Sequence, residues 1–364
     1  MGLTIGIVGL PNVGKSTLFN ALTRAGALVA NYPFATIDPN TGVVEVPDER
    51  LARLADLFHP PSVVPAAVTF VDIAGLVRGA SEGEGLGNRF LAHIRECDAI
   101  AMVVRCFLDP NVTHVSGAID PRADIEVVET ELMLADLETV TRRKERTAKL
   151  ARQQKEAAAE LAALEQVEAG LGAGVPARRQ GLSTEAITWM RPLSLLTLKP
   201  VIYVANVAEA DAAAPPDSAI AAVREYAAAE GSRWVPISAA IEAELRDLDA
   251  GEARDFLESM GLKESGLNRL AREAYEVLGL ITFFTAGEKE CRAWTVHRGA
   301  TAPEAAGVIH TDFQRGFIRA EVADWRELCE LGGWTAAREK GRVRSEGRDY
   351  VVQDGDTVIF RFNV

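Results

Sequence analysis

The sequence predicts an α/β fold with a mostly parallel sheet, a helical insertion and a smaller C-terminal α+β domain. Short β-rich runs alternate with helical patterns, which is typical of a parallel sheet covered by helices on both faces. These runs span residues 3–8, 68–72, 99–105, 200–206 and 234–238. The alternation stops between residues 124 and 190, which contain no strand pattern, and strand patterns dominate again from residue 281 onward.

The composition excludes several classes of protein. With 364 residues, 48% of them hydrophobic, the chain is long enough for two or three domains with buried cores. No apolar run reaches the ~18–20 uncharged residues of a membrane span. The first residues lack the basic region and the cleavage site of a signal peptide. We therefore expect a cytoplasmic protein with no membrane partner, and we take it to be monomeric.

The first strand pattern ends in a glycine-rich turn, Gly9-Leu-Pro-Asn-Val-Gly-Lys-Ser16, that leads into a helical pattern. A strand, a GxxxxGK[ST] turn and a helix together define a phosphate-binding loop, or P-loop. Its backbone N–H groups surround phosphate oxygens at a helix N-terminus, where the dipole favours anions. We expect Lys15 to act catalytically on the β- and γ-phosphates and Ser16 to ligate Mg²⁺. The predicted nucleotide-binding residues of this loop are Asn12, Val13, Gly14, Lys15, Ser16 and Thr17.

Two further segments are placed to complete the magnesium site and to sense the γ-phosphate. Asp72 ends the 68–72 strand, where a carboxylate fits a role beside the metal, and Gly75 can offer its N–H to the γ-phosphate. The following stretch, residues 78–87, is rich in glycine, as a γ-phosphate sensor requires. Thr36 is the predicted third metal-binding residue, with Thr41 as a weaker competitor.

The loop after the 200–206 strand is placed to contact the base of a nucleotide. Guanine-specific GTPases carry Asn-Lys-x-Asp here, whereas this chain has Asn206-Val-Ala-Glu209. Glutamate is one methylene longer than aspartate and cannot take the same bidentate position without shifting the base. Ser238-Ala239-Ala replaces the usual Ser-Ala-Lys of the next base-contact loop. We predict base contacts from Asn206, Val207, Glu209, Ser238 and Ala239, and both departures disfavour GTP.

The insertion and the C-terminal region set the predicted domain boundaries. Residues 1–123 and 191–280 are assigned to the nucleotide-binding domain, and residues 281–364 to the α+β domain. Residues 124–190 are assigned to a helical hairpin packed as an antiparallel coiled coil, with sheet-covering helices as the alternative.

The charge of the chain is unevenly distributed. The formal net charge is −13, yet residues 142–155 contain seven basic side chains and one acid. Lys and Arg on a helical arm favour contact with RNA phosphates, and an exposed coiled-coil face without a partner is the alternative. We expect the C-terminal domain to share this RNA-facing surface, with Trp294, Phe313 and Phe317 as candidate contacts or, more simply, as core residues.

These motifs together resemble the YchF/Obg-like ATPases, and the resemblance covers nearly the whole chain. Residues 6–22 resemble that family's P-loop, residues 72–88 its second switch, and residues 206–209 its altered base loop. The resemblance implies ATP preferred over GTP, slow hydrolysis and binding to the ribosome through its RNA, with the large subunit favoured. It also implies that residues 281–364 form a TGS domain, which is a ubiquitin-like β-grasp module.

The group that activates water is not evident from the sequence. Many GTPases place a glutamine directly after DxxG, but this chain has Leu76, which cannot orient water. His114, in a polar loop, is our candidate for the missing catalytic group, with a structural role as the alternative. Asn12 is a candidate for binding potassium near the phosphates. A GTPase and a nucleotide-gated binding module with negligible turnover remain the alternatives to an ATPase.

Overall fold

The computed structural model describes residues 3–25, 41–73, 86–109 and 119–363. The elements up to residue 172 are β1 Thr4–Val8, α1 Lys15–Ala25, β2 Thr41–Val46, α2 Glu49–Phe58, β3 Val63–Val64, β4 Ala66–Asp72, α3 Leu86–Glu96, β5 Ala99–Arg105, α4 Pro121–Leu150 and α5 Lys155–Gly172. The next are α6 Thr184–Met190, β6 Val201–Asn206, α7 Asp217–Glu230, β7 Arg233–Ile237, α8 Ala239–Leu245, α9 Ala250–Ser259 and α10 Gly266–Val277. The last are β8 Leu280–Ala286, β9 Cys291–His297, α11 Ala302–Ile309, α12 Thr311–Arg315, β10 Phe317–Asp324, α13 Trp325–Leu331, α14 Trp334–Glu339, β11 Arg344–Glu346 and β12 Asp356–Phe362. Within these described ranges, no helix is both long and apolar enough to cross a membrane.

The chain forms two compact units that do not follow the predicted boundaries. The first unit comprises residues 1–44 and 69–277, and the second comprises residues 45–68 and 278–364. The predicted boundaries assign residues 45–68 to the nucleotide-binding domain. In the structure β3 instead pairs in parallel with β9, and Arg50 of α2 donates to Asp354 at 2.8 Å. These contacts join residues more than 200 positions apart, so no local pattern predicts them.

The second unit is built on a mixed sheet with the strand order β11-β10-β12-β8-β9-β3. Pairs β10–β11, β10–β12 and β8–β9 are antiparallel, whereas β12–β8 and β3–β9 are parallel. The α+β character predicted for this region is confirmed. Phe317 is buried in its core, and Trp294 and Phe313 pack against that core. Phe317 is therefore a core residue, and Trp294 and Phe313 are partly buried beside it.

Two segments of this unit depart from regular secondary structure. The helical segment that begins at Ala302 breaks at His310, which has an extended backbone and accepts a hydrogen bond from the Asp312 N–H through Nδ1. The segment 348–352 contributes only a single bridge, between Thr301 and Val351. Hydrogen bonds from Ala302 to Tyr350 and from Val352 to Ala300 hold that segment on the core instead. The strand that does form here is β11.

The first unit contains a sheet in the order β2-β4-β1-β5-β6-β7, and the pairs from β4 to β7 are parallel. The predicted parallel α/β sheet is thus confirmed. Strands β5 and β6 are buried along their whole length, as expected for central strands covered on both faces. Because the strands are parallel, their carboxyl ends meet at one edge of the sheet, where ligands bind in folds of this kind.

Helix α4 has two halves with different surroundings. Its first half is buried through Ile125, Val128 and Leu132 and contacts β5 and α7. Its second half packs against α5, and Val140 shares a cluster with residues of α5 that include Leu164. Only part of the segment predicted as a projecting arm therefore forms a helical hairpin, since the start of α4 covers the sheet.

Asp136 fixes the point where these two halves meet. Its side chain is fully buried and accepts hydrogen bonds from the N–H groups of Leu196 and Thr197, at 2.9 and 2.7 Å, and from the Thr197 hydroxyl at 2.7 Å. Arg95 of α3 lies 3.6 Å from the carboxylate. One carboxylate therefore joins α4 to the segment that leads into β6.

We expect Asp136→Ala to lower the free energy of unfolding by about 3 kcal/mol or more, because it leaves buried donors without an acceptor. Urea unfolding measures the change. Glu138→Ala is the matched control: that side chain is exposed and pairs with Arg142 one turn away, so its loss costs under about 0.5 kcal/mol. Equal effects of the two substitutions would contradict the assigned role.

Candidate nucleotide-binding site

The P-loop joins β1 to α1 in a conformation that only glycine can adopt at position 14. Gly14 has φ +96°, a backbone conformation that side chains rarely adopt. A Cβ placed on Gly14 would lie 2.2 Å from Nδ2 of Asn206. Both the backbone angle and the neighbouring amide therefore require glycine at this position.

Asn206, predicted to contact the base, holds the loops of the site together. It is buried at the end of β6, and its Nδ2 donates to the Val13 carbonyl at 2.8 Å. Its Oδ1 accepts a hydrogen bond from the Ala239 N–H at 3.0 Å. Asn206 thus fixes the P-loop against the start of α8. Val13 contributes its carbonyl to this contact, and its own side chain is buried.

Lys15 is buried at the start of α1, and its ammonium donates to the Leu10 carbonyl at 2.6 Å. Burial lowers the pKa of Lys15 to about 8, and the charge of Asp72 opposes this shift. Burial also raises the pKa of Asp72, which the charge of Lys15 opposes. Lys15 and Asp72 are therefore close enough for an electrostatic interaction. This proximity is expected for a P-loop lysine and a carboxylate that both lie next to a magnesium site.

A cavity of about 740 Å³ opens beside these groups and brings most of the predicted residues together. Predicted residues that line it are Asn12, Gly14, Lys15, Ser16, Thr17, Asn206, Val207, Glu209, Ser238 and Ala239. Residues that line it without having been predicted are Phe107, Leu108, Asp109, Ala208, Ala210 and Ala240. The volume is within the range of small-molecule sites.

The loop that follows β5 lines the cavity although no sequence motif marks it. Arg105 is buried and donates from Nε to the Phe107 carbonyl at 3.2 Å and from Nη2 to the Asp109 carbonyl at 3.3 Å. Its guanidinium carbon also lies 4.6 Å from the centre of the Phe107 ring. Leu108, by contrast, is 87% exposed. The only available signal was the position of this loop after a buried strand, at the same sheet edge as the P-loop.

Val207 lines the cavity, but its backbone N–H is not available for the predicted base contact. The Val207 N–H donates to the Ile237 carbonyl at 2.8 Å, so its single donor is already used. Glu209 is exposed and begins a short turn of 3₁₀-helix. The Ser238 hydroxyl oxygen is buried and, in the described part of the chain, has no hydrogen-bond partner. Such a group is costly in a protein alone, and a ligand in the cavity would supply its partner.

Three predicted residues lie outside the described ranges: Thr36, Gly75 and His114. Their predicted roles at the metal, at the γ-phosphate and in catalysis remain predictions. Among the described residues, Ser16 is exposed at the cavity and Asp72 ends β4 near Lys15. Their hydroxyl and carboxylate oxygens suit Mg²⁺, so Ser16 and Asp72 would hold that ion beside a bound nucleotide. Such an ion would supply positive charge that offsets the charge of the phosphates.

We expect the affinity for Mg-ATP to fall by about tenfold between pH 7 and pH 9, because Lys15 loses its proton near pH 8 in the free protein. The sign follows from the charged form being the one that attracts phosphate. Calorimetric titration across this range measures the effect. Lys15→Ala binds weakly at every pH and serves as the control. A wild-type profile as flat as that of the variant would contradict the assignment.

We expect Ser238→Ala to raise the stability of the nucleotide-free protein by about 1 kcal/mol, because an unpaired buried hydroxyl is removed. The same substitution should reduce the rise in Tm that Mg-ATP produces, because the hydroxyl then has no contact to gain. Thermal melting with and without Mg-ATP measures both effects. Ser218→Ala, at an exposed position of α7, is the control. An unchanged ATP-induced shift would contradict a contact with the nucleotide.

Comparisons with known proteins agree with this architecture. Residues 4–163 match a family model described as "50S ribosome-binding GTPase", and residues 280–363 match the YchF GTPase C-terminal model, described as a protein of unknown function. Proteins from Bacillus subtilis and Escherichia coli O157:H7, both named "Ribosome-binding ATPase YchF", are 54% and 53% identical over the full length of both chains. The solved structure titled "Structure of the Schizosaccharomyces pombe YchF GTPase" has a TM-score of 0.90 and 38% identity, covering 99% of this chain and 98% of that one. The chain belongs to the YchF family.

Proposed function

We propose that this protein is a cytoplasmic, ribosome-associated P-loop ATPase that hydrolyses ATP to ADP and phosphate and acts as a nucleotide-dependent switch. The observation that carries the proposal is a cavity lined by the P-loop and by a base-contact loop that departs from the guanine-specific pattern. The names of its full-length relatives support ribosome binding and ATP use. The large ribosomal subunit and its RNA are the proposed partners, and the protein acts as a monomer.

The preference for ATP rests on the polar groups available at the base end of the cavity. Guanine presents two N–H donors that an aspartate accepts in GTPases, whereas this chain has the longer and exposed Glu209. A buried site built for one hydrogen-bonding pattern rejects the reverse pattern. The Ser238 hydroxyl can donate or accept a hydrogen bond, so it is compatible with adenine without discriminating against guanine. Residual GTP use is compatible with this site, and a GTP-specific enzyme is the competing proposal.

We expect the wild-type protein to bind ATP more tightly than GTP, and Glu209→Asp to reduce the ratio of the two affinities by up to about tenfold. The double variant Val207→Lys/Glu209→Asp should reduce it further. Val207 is buried, so the melting temperature of the double variant must be compared with that of wild type. Competition binding of ATP and GTP measures the ratio. Tighter binding of GTP by the wild type would contradict the proposal.

Hydrolysis requires groups beyond those that bind the nucleotide. Lys15 supplies positive charge to the phosphates. His114 is the proposed group that orients or deprotonates water, since Leu76 cannot. Asn12 lines the cavity in a left-handed backbone conformation, with φ 62°, and is the proposed contact for potassium. Multiple-turnover phosphate release, in potassium and in sodium, separates an ATPase from a binding module without turnover.

We propose the tip of the helical hairpin as the RNA contact, and the distribution of ion pairs along the hairpin supports this choice. Across residues 138–172 the hairpin has seven basic and six acidic side chains, so its net charge is +1 rather than the +6 of residues 142–155 alone. Arg142, Arg143 and Lys144 pair with glutamates of the hairpin itself. Four exposed basic residues near the turn form no ion pair with the described residues: Arg146, Lys149, Arg152 and Lys155.

We expect replacement of Lys149, Arg152 and Lys155 by Gln to weaken ribosome binding and to reduce the slope of log affinity against log salt by up to about three. The control replaces Arg142, Arg143 and Lys144 by Gln. It removes the same charge but from residues already paired, so its effect should be smaller.

Co-sedimentation with ribosomes across a salt series, with an ATP analogue, ADP or no nucleotide, measures both variants and the wild type. ATP affinity of the isolated protein should stay unchanged in each variant. Equal behaviour of the tip variant and wild type would remove the hairpin from the RNA contact. Failure of the wild type to co-sediment in every nucleotide state would contradict ribosome association itself.

A further inference from the structure

A group of three arginines on the mixed sheet of the second unit belongs to no site described above. Arg319 on β10 and Arg361 on β12 are direct cross-strand partners, and Arg338 approaches from α14. All three donate to Glu321: Arg361 Nε to Oε1 at 3.0 Å, Arg338 Nη2 to Oε2 at 3.0 Å and Arg319 Nη2 to Oε1 at 3.4 Å. We call these four residues the arginine cluster.

The charges of the arginine cluster do not balance. Three guanidinium groups share one carboxylate, which leaves a net charge of +2 at this point of a chain whose total is −13. Among the described residues, Glu321 is the only carboxylate paired with any of the three arginines. Like charges directly opposite on neighbouring strands are destabilising, so packing alone does not account for Arg319 beside Arg361. Departures of this kind are expected where a surface has a function.

The arginine cluster lies where one face of the sheet becomes open to solvent. Residues two apart on a strand share a face, so the pair Arg319–Arg361 continues the row that contains the pair Ala323–Thr357. Ala323 and Thr357 are fully buried, whereas the arginine side chains are 44–54% exposed. The guanidinium groups are thus both accessible and fixed in position.

Glu321 acts as the organising residue of the cluster. Its side chain is largely buried, and the hydrogen bond from Arg361 lowers the pKa of this carboxyl group despite the opposing effect of burial. It therefore stays ionised near neutral pH. It takes one N–H from Arg338, one from Arg319 and two from Arg361, and each planar guanidinium carries five donors. The donors that remain suit the oxygens of a phosphate group.

We propose that Arg319, Arg338 and Arg361 form a binding site for the phosphate backbone of RNA, held in place by Glu321. The inference rests on the proposed function, which makes ribosomal RNA the partner, and assigns this unit its point of contact. RNA is favoured over an acidic peptide because it is the partner in the proposed function and because an exposed apolar side chain lies at the same end of the sheet. Ile318 is 58% exposed beside Arg319, and such a group can contact a base next to a bound backbone.

The test uses the full chain and a fluorescently labelled single-stranded uridine homopolymer RNA. Arg319→Gln/Arg361→Gln should weaken binding and reduce the slope of log affinity against log salt by about two, because two phosphate contacts are lost. The matched control, Arg298→Gln/Arg326→Gln, removes the same charge from exposed arginines of the same unit outside the cluster. It should leave the slope near the wild-type value. Fluorescence anisotropy across a salt series measures all three proteins, and thermal melting verifies that each is folded.

Three results would overturn the proposal. The first is a cluster variant that binds this RNA with the same affinity and slope as the control variant. The second is polyglutamate binding that depends on the cluster as strongly as RNA binding does, because the partner would then be an acidic peptide. The third is an unfolded double variant together with Arg319→Gln and Arg361→Gln single variants that fold and bind normally. RNA binding by the isolated protein is measured without ribosomes, so failure of the site and failure of ribosome association are distinguishable.

Discussion

The position of Asn206 is the constraint on which the nucleotide site depends. Its amide spans the gap between two loops that are far apart in sequence, since it donates to Val13 and accepts from Ala239. The same amide nitrogen occupies the space that a side chain at position 14 would need. The P-loop sequence, the end of β6 and the start of α8 therefore constrain one another. A motif that is usually explained by phosphate contacts alone is here also fixed by packing against another strand.

Strand β6 connects this constraint to the helical insertion. Three residues before Asn206, the Tyr203 hydroxyl donates to Glu230 at 2.6 Å. Arg178, which follows α5, donates to the same glutamate at 3.0 Å and to Glu129 of α4 at 2.5 Å. This network is nearly buried, and removing one member of such a network leaves the others uncompensated. Strand β6, which positions the P-loop, is thus also connected through hydrogen bonds to the residues where the hairpin joins the rest of the unit.

The same end of the hairpin is bonded to α3, which follows the predicted γ-phosphate sensor in sequence. Arg95 donates to the Thr139 hydroxyl at 3.1 Å and to the Ser194 carbonyl at 3.1 Å. Lys199 donates to the Arg95 carbonyl at 3.0 Å and also to the Cys97 carbonyl, which satisfies groups at the C-terminal end of α3. The contacts of Asn206, Asp136 and Arg95 therefore form one continuous set around β6, α3 and α4.

The fold and the site could be predicted from the sequence where a local residue pattern determines the structure. The P-loop, the five parallel strands and the α+β character of the C-terminal region follow from hydrophobic periodicity and from the GxxxxGK[ST] spacing. Local pattern could not show that residues 45–68 join the second unit, because β3 is two residues long and is stabilised by a partner at residues 291–292. Local pattern also could not show that the Val207 N–H donates to the Ile237 carbonyl, because that hydrogen bond depends on the pairing of β6 with β7.

Basic residues show most clearly why the remaining features depend on three-dimensional structure. Arg105 is buried and Arg178 is nearly so, and they stabilise loops and helices through hydrogen bonds to carbonyls and carboxylates. Glu160, seventeen residues away, neutralises the charge of Arg143, although a count over residues 142–155 includes that arginine as excess positive charge. Arg319 and Arg361 lie in a region of balanced composition, yet the pairing of β10 and β12 brings them together. A surface binds a polyanion through charged side chains that no neighbouring opposite charge neutralises. The ion pairs and the exposure of the side chains therefore indicate such a surface better than the net charge summed along the chain.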